Sequence, residues 1–257
     1  MKIATWNVNS IRARVEAVLA FLADQQPDVL CMQETKVVDE DFPREPFERA
    51  GYECGFSGEK SYNGVAILSR LPMKDVRAGF DAGQPTDASR LILATVGRIP
   101  IVNTYVPQGR EPDSEHFCYK LDWFQRLLSF FDRNFTPRRR LIWVGDLNVA
   151  PEDRDVYDPK RLRGHVCFHP DAQAALERVV AWGFVDCFRM HEHRDGQYTY
   201  YDYRMTTALE TNRGWRVDHI MATRPLAKKC TAACIDLTPR VGKKPSDHTP
   251  LIAEFDL

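Results

Sequence analysis

The chain has 257 residues, 44% of them apolar, and its 35 basic residues nearly balance its 36 acidic ones, for a formal net charge of −1. This length fits one large α/β domain or two small ones. The charge balance excludes a general polycation, so binding to nucleic acid would have to use local basic patches. The candidates are residues 12–14, 138–140, 160–163 and 243–244. No run of about 18 apolar residues occurs, so the sequence predicts no membrane-spanning helix.

The N-terminus and the cysteines indicate the compartment. The first six residues, Met-Lys-Ile-Ala-Thr-Trp, are typical of a strand and lack the charged-then-apolar layout of a secretory signal. The seven cysteines include no Cys-x-x-Cys pair. Several lie among apolar neighbours, which is typical of small buried residues in a reducing compartment; these are Cys31, Cys54, Cys118, Cys167 and Cys187. We therefore expect a cytoplasmic protein.

The first half of the chain alternates between predicted strands and helices. Residues 2–9 form a strand, Ser10 caps a helix that continues to about residue 25, and residues 28–33 form the next strand. A strand, a helix and a strand in about 34 residues are typical of a βαβ unit, although the pattern does not establish that the strands are neighbours. Further strands are predicted at 51–56 and 64–69, and a hairpin at 90–96 and 99–106.

The second half continues the alternation. Apolar residues at helical spacing predict a long helix at 115–134, and the short apolar run 141–144 predicts a buried strand. The polar segment 151–170 is interpreted as a loop on the active face, followed by a helix that Asp171 caps and that continues to residue 182. Shorter extended segments are predicted at 184–188, 215–221, 230–237 and 251–257.

This order of elements predicts the fold class. Strands and helices interleave without a linker, a low-complexity tract or a short repeat, which favours a single α/β domain over residues 1–257. The hairpin around Gly97 indicates sheets that are partly antiparallel. We expect two mixed β-sheets packed face to face and flanked by helices.

Short polar clusters follow the apolar strands, where functional clefts of α/β folds lie. No Gly-x-Ser-x-Gly elbow, cysteine-rich ligand set or phosphate-binding glycine loop occurs, which disfavours serine or thiol catalysis and nucleotide cofactors. Oxygen ligands favour Mg²⁺ or Mn²⁺ over zinc, and such an ion beside an acid and a histidine suits phosphodiester hydrolysis. The clusters are Asn7-Val-Asn9, Gln33-Glu34, Tyr105, Asp146-Leu-Asn148, Asp218-His219 and Asp247-His248.

The cluster after strand 141–144 carries an acid and an amide, Asp146 and Asn148. Alternation along an extended chain would put both side chains on one side, where they could orient and deprotonate a water. The alternative is an ordinary polar turn, because Gly-Asp-x-Asn is also common turn composition. By the same alternation His219 should point away from Asp218, so we interpret it as structural.

Six motifs span the chain from end to end: Trp6-Asn-Val-Asn-Ser-Ile-Arg12, Leu30-Cys-Met-Gln-Glu-Thr-Lys36, Asn103-Thr-Tyr-Val-Pro-Gln-Gly109, Gly145-Asp-Leu-Asn-Val-Ala150, Trp215-Arg-Val-Asp218 and Ser246-Asp-His-Thr-Pro250. In these motifs the sequence resembles the exonuclease III family of apurinic/apyrimidinic (AP) endonucleases, within the endonuclease/exonuclease/phosphatase superfamily. One motif alone would be weak evidence, whereas six in family order are very specific. The family fold is a four-layered α/β sandwich, in agreement with the packed sheets predicted above.

The resemblance implies a Mg²⁺-dependent DNA repair phosphodiesterase, with Mn²⁺ as an alternative ion. Such an enzyme cleaves the backbone 5′ to abasic sites and has 3′-to-5′ exonuclease and 3′-end-cleaning activity. The implied substrate is double-stranded DNA with abasic sites or blocked 3′ ends. The implied protein is a monomer in the cytoplasm, with the nucleoid if the source is prokaryotic.

The resemblance also implies a role for each matching residue. Asp146 would activate the attacking water and Asn148 would hold it, while Asp218 would orient His248 against the scissile phosphate. Tyr105 would bind that phosphate or assist the leaving oxygen. Glu34 would be the main metal ligand in a set that comprises Asn7, Glu34, Asp146, Asn148, Asp247 and His248.

DNA-contact positions carry over in the same way. Basic and polar residues would contact backbone phosphates, which fixes register rather than reading sequence. Aromatic residues would wall the pocket for an extruded abasic sugar. The phosphate contacts would be Arg12, Lys36, Tyr62, Asn63 and Arg90, with Arg110 near a DNA-inserting position and Tyr200 and Trp215 in the pocket wall.

Two other functions stay open at the level of the sequence. The same fold could act on a non-DNA phosphodiester or phosphate ester, as inositol-phosphate phosphatases and sphingomyelinases do. Alternatively, the chain could be a non-catalytic, nucleic-acid-associated regulator, although such relatives have lost catalytic positions that this sequence retains.

Overall fold

Twelve strands form two six-stranded sheets in the computed structural model, which describes residues 1–80 and 87–257. The first sheet has the order β11-β12-β1-β2-β4-β3 and the second β5-β6-β7-β8-β10-β9. The strands are β1 Lys2–Asn7, β2 Val29–Gln33, β3 Glu53–Ser57, β4 Val65–Ser69, β5 Met73–Ala78, β6 Leu91–Val96, β7 Ile99–Tyr105, β8 Ile142–Asp146, β9 Phe184–Asp186, β10 Asp218–Thr223, β11 Cys230–Ile235 and β12 Leu251–Phe255.

Both sheets are mixed. In the first sheet β1 pairs with β2 in parallel and with β12 in antiparallel orientation. In the second sheet β7 and β8 are parallel, whereas β6–β7 is the predicted antiparallel hairpin. The first strand, helix and strand therefore form a βαβ unit whose strands are neighbours.

Helices cover the outer faces of the sheets. The long amphipathic helix predicted from the spacing of its apolar residues is present with the predicted bounds, Glu115–Asn134. The helices are α1 Ile11–Gln25, α2 Arg44–Arg49, α3 Glu115–Asn134, α4 Pro159–Leu162, α5 Pro170–Ala181, α6 Cys187–His191 and α7 Arg224–Ala227. Among the helices of the described ranges, none is long and apolar enough to cross a membrane.

The two sheets and the helices on their outer faces form four layers, and three apolar cores lie between them. One lies between the sheets and contains Ile3 and Ile142. A second packs α1 and α2 on the first sheet through Phe21 and Phe47, and a third packs α3 and α5 on the second sheet around Phe131. The central strands are buried on both faces, which explains why they read as continuous apolar runs. The predicted four-layered α/β sandwich is confirmed.

Several local predictions were wrong. Ser10 is the N-cap residue of α1, as predicted, but its side chain makes no cap hydrogen bond; its φ is 88° and its backbone N–H donates to Glu34 O at 2.7 Å. The helix assigned to an Asp171 cap begins at Pro170, and the ring of His169 accepts from the Asp171 N–H. Cys118 is exposed on α3 and Cys54 is only partly buried.

Candidate active site

The ends of five strands meet at one edge of the sandwich. From the first sheet come Asn7, the last residue of β1, and Glu34, directly after β2. From the second sheet come Tyr105 and Asp146, the last residues of β7 and β8, and Asp218, the first residue of β10. Because β10 is antiparallel to β8, Asp218 pairs in register with Asp146. Carboxylates and an amide from both sheets are thus brought to one place.

Glu34 is held by an unusual segment of backbone. Glu34 and Lys36 both have left-handed φ values, 52° and 54°. Their backbone is hydrogen-bonded on one side to the start of α1, through Ser10 N to Glu34 O, and on the other to residues 63–64. Gly64 fits there because a Cβ would lie 2.0 Å from Thr35 Oγ1. The sequence therefore fixes the Glu34 carboxylate by clamping its backbone between two loops.

Asn7 joins the two halves of the site. Its fully buried amide nitrogen Nδ2 donates to Glu34 Oε1 at 2.7 Å and to Asp146 Oδ2 at 2.9 Å. Its Oδ1 accepts from the backbone of Asn9 at 3.0 Å. One side chain thereby fixes the distance between two carboxylates that belong to different sheets.

Asp146 and Asn148 face the same cavity, but strand alternation is not the reason. The strand ends at Asp146, and Asn148 has a left-handed φ of 49°. The backbone N–H of Asn148 donates to Asp146 Oδ1 at 2.9 Å, and its amide donates to Val106 O at 3.0 Å. Gly145 begins this turn with φ 138°, where a Cβ would lie 1.9 Å from Thr104 O. The two side chains therefore lie on the same side, as expected, but because of a turn that the Asp146 carboxylate stabilises.

His248 and Asp218 form a buried pair. His248 Nδ1 lies 2.8 Å from Asp218 Oδ2, and His248 Nε2 lies 3.8 Å from Asp146 Oδ2. Burial would lower the pKa of His248, but the carboxylates of Asp218 and Asp146 raise it to about 10. At neutral pH the imidazole is therefore a cation that can donate from Nε2 towards the cavity.

Three further groups have perturbed pKa values. Burial raises the pKa of Asp146 to about 7, although the neighbouring His248 cation opposes the rise. Burial and the charges of Glu34 and Asp146 raise the pKa of Tyr105 well above its ordinary value, so its hydroxyl stays protonated. Burial also acts on Glu34, but Lys36, 2.7 Å away, keeps the pKa of Glu34 below its ordinary value. The site therefore combines a carboxyl that titrates near neutral pH, Asp146, with an ionised carboxylate, Glu34, and two proton donors, Tyr105 and His248.

A divalent ion fits the donor set at this point. Ligand atoms of Glu34, Asp146 and His248 all lie within 4.8 Å of one another. Asp218 Oδ1 is buried with no hydrogen-bond partner among the described residues. Asp247 lines the same cavity, and its Oδ1 accepts from Asn9 Nδ2 at 2.9 Å. Carboxylate oxygens of this density suit a hard cation.

The cavity beside these groups has a volume of about 200 Å³. Tyr200 and Trp215, which were predicted to wall the pocket for an abasic sugar, line this cavity. The Tyr200 ring lies 4.8 Å from the His248 ring, centroid to centroid, and the His165 ring lies 4.8 Å from that of Trp215. No site role was predicted for several lining residues, which are Gln108, His165, Cys167, Asp202 and Arg204. Gln108 lies in the motif 103–109, and His165 and Cys167 lie in the segment 151–170 predicted to form a loop on the active face.

A neighbouring cleft of about 430 Å³ contains four of the eight predicted DNA-contact residues. It shares Tyr105 with the smaller cavity, and the Arg90 guanidinium lies over the Tyr105 ring at 4.9 Å. Tyr62 is 70% exposed at its edge. The predicted residues it brings together are Tyr62, Asn63, Arg90 and Arg110. Arg12 is exposed on α1 and lines neither cavity, and Lys36 is engaged with Glu34 and Asn9.

His219 is structural, as predicted. It is fully buried, and its two ring nitrogens contact Arg216 Nη1 at 3.1 Å and Val149 O at 3.0 Å. Arg216 is itself buried and forms ion pairs with Asp155 and Asp186, both at 2.7 Å. Arg216 follows Trp215 in the chain and His219 follows Asp218, so this network anchors the backbone beside both residues.

Comparisons with known proteins agree with this geometry. The sequence profile of the endonuclease/exonuclease/phosphatase family matches residues 4–248. The chain therefore belongs to the endonuclease/exonuclease/phosphatase family.

Within that family the chain falls among the exodeoxyribonuclease III and AP endonuclease proteins, which confirms the resemblance. It is 34% identical to exodeoxyribonuclease III of Haemophilus influenzae, over 99% of this chain and 100% of that one. An AP endonuclease from Archaeoglobus fulgidus is 48% identical with a TM-score of 0.97, and each chain is fully covered. The 3′-5′ exonuclease NExo from Neisseria meningitidis is 36% identical with a TM-score of 0.96, again with full coverage of both.

Proposed function

We propose that this chain is a Mg²⁺-dependent DNA repair phosphodiesterase that cuts the backbone 5′ to abasic sites and removes blocked 3′ ends. One observation carries the proposal: the Glu34, Asp146 and His248 ligand atoms lie within 4.8 Å of one another beside a small, aromatic-walled cavity. The named activities of the full-length relatives support the choice of DNA as the substrate. The substrate class is accordingly double-stranded DNA with a missing base or a modified 3′ terminus.

Metal binding is assigned to oxygen ligands at the strand ends. Glu34 is the main ligand, because Lys36 and Asn7 keep it ionised. The remaining members of the proposed set are Asn7, Asp146, Asn148 and Asp247. His248 would bind an ion only as a neutral imidazole, so while Asp218 holds it as a cation it acts on the phosphate instead. Bound Mg²⁺, or Mn²⁺ in its place, supplies positive charge that stabilises the phosphate as negative charge develops in an in-line displacement.

The protein's own groups divide the proton chemistry between them. Asp146, with a pKa near 7, accepts the proton of the attacking water, which Asn148 holds in line with it. His248, kept cationic by Asp218, donates from Nε2 to a phosphate oxygen and stabilises the transition state. Tyr105, protonated at all ordinary pH values, offers its hydroxyl to the phosphate or to the leaving oxygen.

The two adjoining cavities supply the binding surface. We assign the smaller one, walled by Tyr200 and Trp215, to the abasic sugar or the 3′ terminus. The wider cleft with Tyr62, Asn63, Arg90 and Arg110 would receive the backbone of the flanking duplex. Arg12 and Lys36 would extend that contact from α1 and the Glu34 segment. The proposal also implies a single-domain monomer in the cytoplasm, with the nucleoid in a prokaryote.

The direct test is cleavage of a labelled duplex that contains one central abasic-site analogue, with Mg²⁺ and with EDTA. An intact duplex and a duplex with a 3′-phosphate terminus are run beside it. We expect one cut immediately 5′ to the analogue and release of the 3′-phosphate, both abolished by EDTA. The ratio of the rate of cutting at the analogue to the rate of 3′-phosphate release compares endonuclease activity with 3′-end processing. Shortening of the intact strand measures the exonuclease activity.

No cut under Mg²⁺ or Mn²⁺ in any of the three duplexes would refute the proposal. Hydrolysis of inositol phosphates or sphingomyelin in place of DNA would then favour a non-DNA esterase of the same fold. DNA binding without hydrolysis would favour a regulator.

A further inference from the structure

A second basic surface lies at the opposite end of the sandwich from the candidate active site. It is a cleft of about 840 Å³ between the β6–β7 turn, the C-terminal end of α3, the α3–β8 loop and the start of α7. Five of its lining residues are arginines: Arg98, Arg133, Arg138, Arg139 and Arg140. We call this surface the arginine cleft. It includes the run 138–140 that the sequence singled out as a candidate basic patch.

The lining of the arginine cleft combines positive charge with an absence of acidic residues among those described. The side chains of Arg98, Arg138, Arg139 and Arg140 are exposed, and within the described ranges their guanidinium groups make no hydrogen bond or ion pair. In a chain whose net charge is −1, this is a local concentration of cations that repel one another. A bound polyanion would relieve that repulsion.

The backbone that carries these arginines is fixed. Arg139 N donates to Thr136 O at 3.1 Å, and Thr223 Oγ1, on β10, donates to Arg139 O at 2.7 Å. The next residue, Leu141, donates its N–H to Thr223 Oγ1 at 3.1 Å. The loop is thus attached to the end of the central sheet, so the guanidinium groups are presented from a rigid base.

The arginine cleft and the active site are separated by the length of two central strands. Leu141 lines the cleft and Asp146 lies in the site, and the five steps of extended chain from one to the other span about 17 Å. Along β7, Arg98 precedes the first residue and Tyr105 is the last. The two surfaces therefore lie at opposite ends of the same strands and face away from each other.

We infer that the arginine cleft binds the sugar–phosphate backbone of a second DNA segment while the active site holds the first. Guanidinium groups bind phosphate oxygens in a bidentate manner, and several on one open surface suit a repeating anion better than a single small one. A protein partner would need a buried aromatic or aliphatic anchor. The described lining offers no exposed large apolar side chain: Phe135 is half-buried, Leu141 is buried, and the exposed apolar residue is Pro225. Sequence-independent DNA binding fits the observations better.

The test measures bridging of two DNA molecules by the full-length protein in EDTA, which prevents cleavage. One duplex carries a central abasic analogue and a donor dye, and an intact duplex carries an acceptor dye. We expect energy transfer when the protein is added, and its loss in Arg138→Glu/Arg140→Glu. Affinity for the intact duplex, measured with the active site saturated by the abasic duplex, should fall at least about tenfold, and its log–log salt slope by roughly two.

Arg44→Glu/Arg49→Glu is the matched control, because both residues are exposed on α2 over the other sheet and the change in charge is identical. This control should bridge as well as the parent protein, and sedimentation of the protein alone should show a monomer under the assay conditions. An equal loss of bridging in both double variants, or bridging that persists in Arg138→Glu/Arg140→Glu, would overturn the inference. So would a parent protein that binds poly-glutamate but no second duplex, since the partner would then be an acidic protein.

The inference rests on the proposed function only in that the active site binds DNA, and it does not depend on cleavage. Bridging needs no metal and no turnover, and neither substituted pair lies in the proposed catalytic or metal-binding set. Bridging without cleavage would support this inference and refute the proposed function. Cleavage without bridging would support the proposed function and refute this inference.

Discussion

Lys120 Nζ lies 2.7 Å from the carbonyl oxygen of Asn148, beneath the floor of the active site. The same ammonium group donates to Val166 O at 2.7 Å and to Gln108 O at 3.2 Å. Lys120 is fully buried on α3, and burial lowers its pKa. Three loops that line the site cavity are therefore joined by one cation from a helix behind them.

Replacing that cation should loosen the site as well as the fold. We expect Lys120→Met to destabilise the protein by about 2–4 kcal/mol, because three buried carbonyls lose their donor. Turnover should fall too, since Asn148 would no longer be fixed from below. Urea unfolding and kcat on the abasic duplex measure the two effects. Lys229→Met, at an exposed position, should leave both unchanged. An unfolding free energy equal to that of the parent would contradict the argument.

The central part of the fold could be predicted from the sequence because burial on both faces leaves a direct signal there. Strand β8 is an apolar run, and α3 has apolar residues at helical spacing. Strand β5, Met73–Ala78, and helix α2 were missed. The side chains of β5 are mostly exposed, and the strand forms by pairing with β6 at the edge of the sheet. Its structure depends on a partner, so its own residues carry little pattern.

The residues of the candidate site also divide into those that the sequence pattern identifies and those that it does not. Asn7, Glu34, Tyr105 and Asp146 could be found because they follow apolar strands and lie in motifs. Lys120 could not, because a lysine on an amphipathic helix is normally exposed and only tertiary packing buries it. Residues His165 and Cys167 come from an irregular loop whose path no local pattern defines. The roles assigned to all of these residues remain predictions.

Removing the proposed base, Asp146, should lower the rate of cleavage strongly and change DNA binding little. We expect Asp146→Asn to lower kcat by about 10³- to 10⁴-fold, because the amide cannot accept a proton from water. The substitution conserves shape, so the affinity for the abasic duplex in EDTA should change little. Single-turnover cleavage and fluorescence anisotropy separate the two quantities. The control is Asp24→Asn, at an exposed position on α1. Near-normal cleavage by Asp146→Asn would rule out the assigned role.

Glu34 should control the metal requirement. Replacing its carboxylate by an amide in Glu34→Gln removes the charge that Lys36 now balances. We expect the Mg²⁺ concentration for half-maximal cleavage to rise at least about tenfold. A titration of Mg²⁺ at saturating DNA gives this value. Glu59→Gln, in the neighbouring cleft but outside the metal set, serves as the control. If the titration of Glu34→Gln matched that of the parent, Glu34 would not be a ligand.

The buried network behind Trp215 should make stability depend on acid. Burial opposes ionisation of Asp186, but the Arg216 guanidinium holds the pKa of Asp186 well below its ordinary value. Burial also acts on Asp155, and Arg216 and Arg189 likewise lower the pKa of that carboxyl. A carboxyl whose pKa is lower in the folded state contributes stability above its unfolded pKa of about 3.9. That contribution is lost as pH falls through the folded value.

We therefore expect the free energy of unfolding to decrease as pH is lowered from about 5 towards 2. In Asp186→Asn the slope of this decrease should be smaller by up to one proton, about 1.4 kcal/mol per pH unit, because one titrating group is gone. Asparagine still accepts the backbone hydrogen bonds that Asp186 accepts at the start of α6, so the helix cap is retained. Urea titrations at several pH values without metal give the slopes for the parent, Asp186→Asn and the exposed control Asp24→Asn. A slope in Asp186→Asn that equals the parent's would show that the Arg216 pair does not contribute to acid sensitivity, and that other carboxylates, such as those at the active site, dominate it.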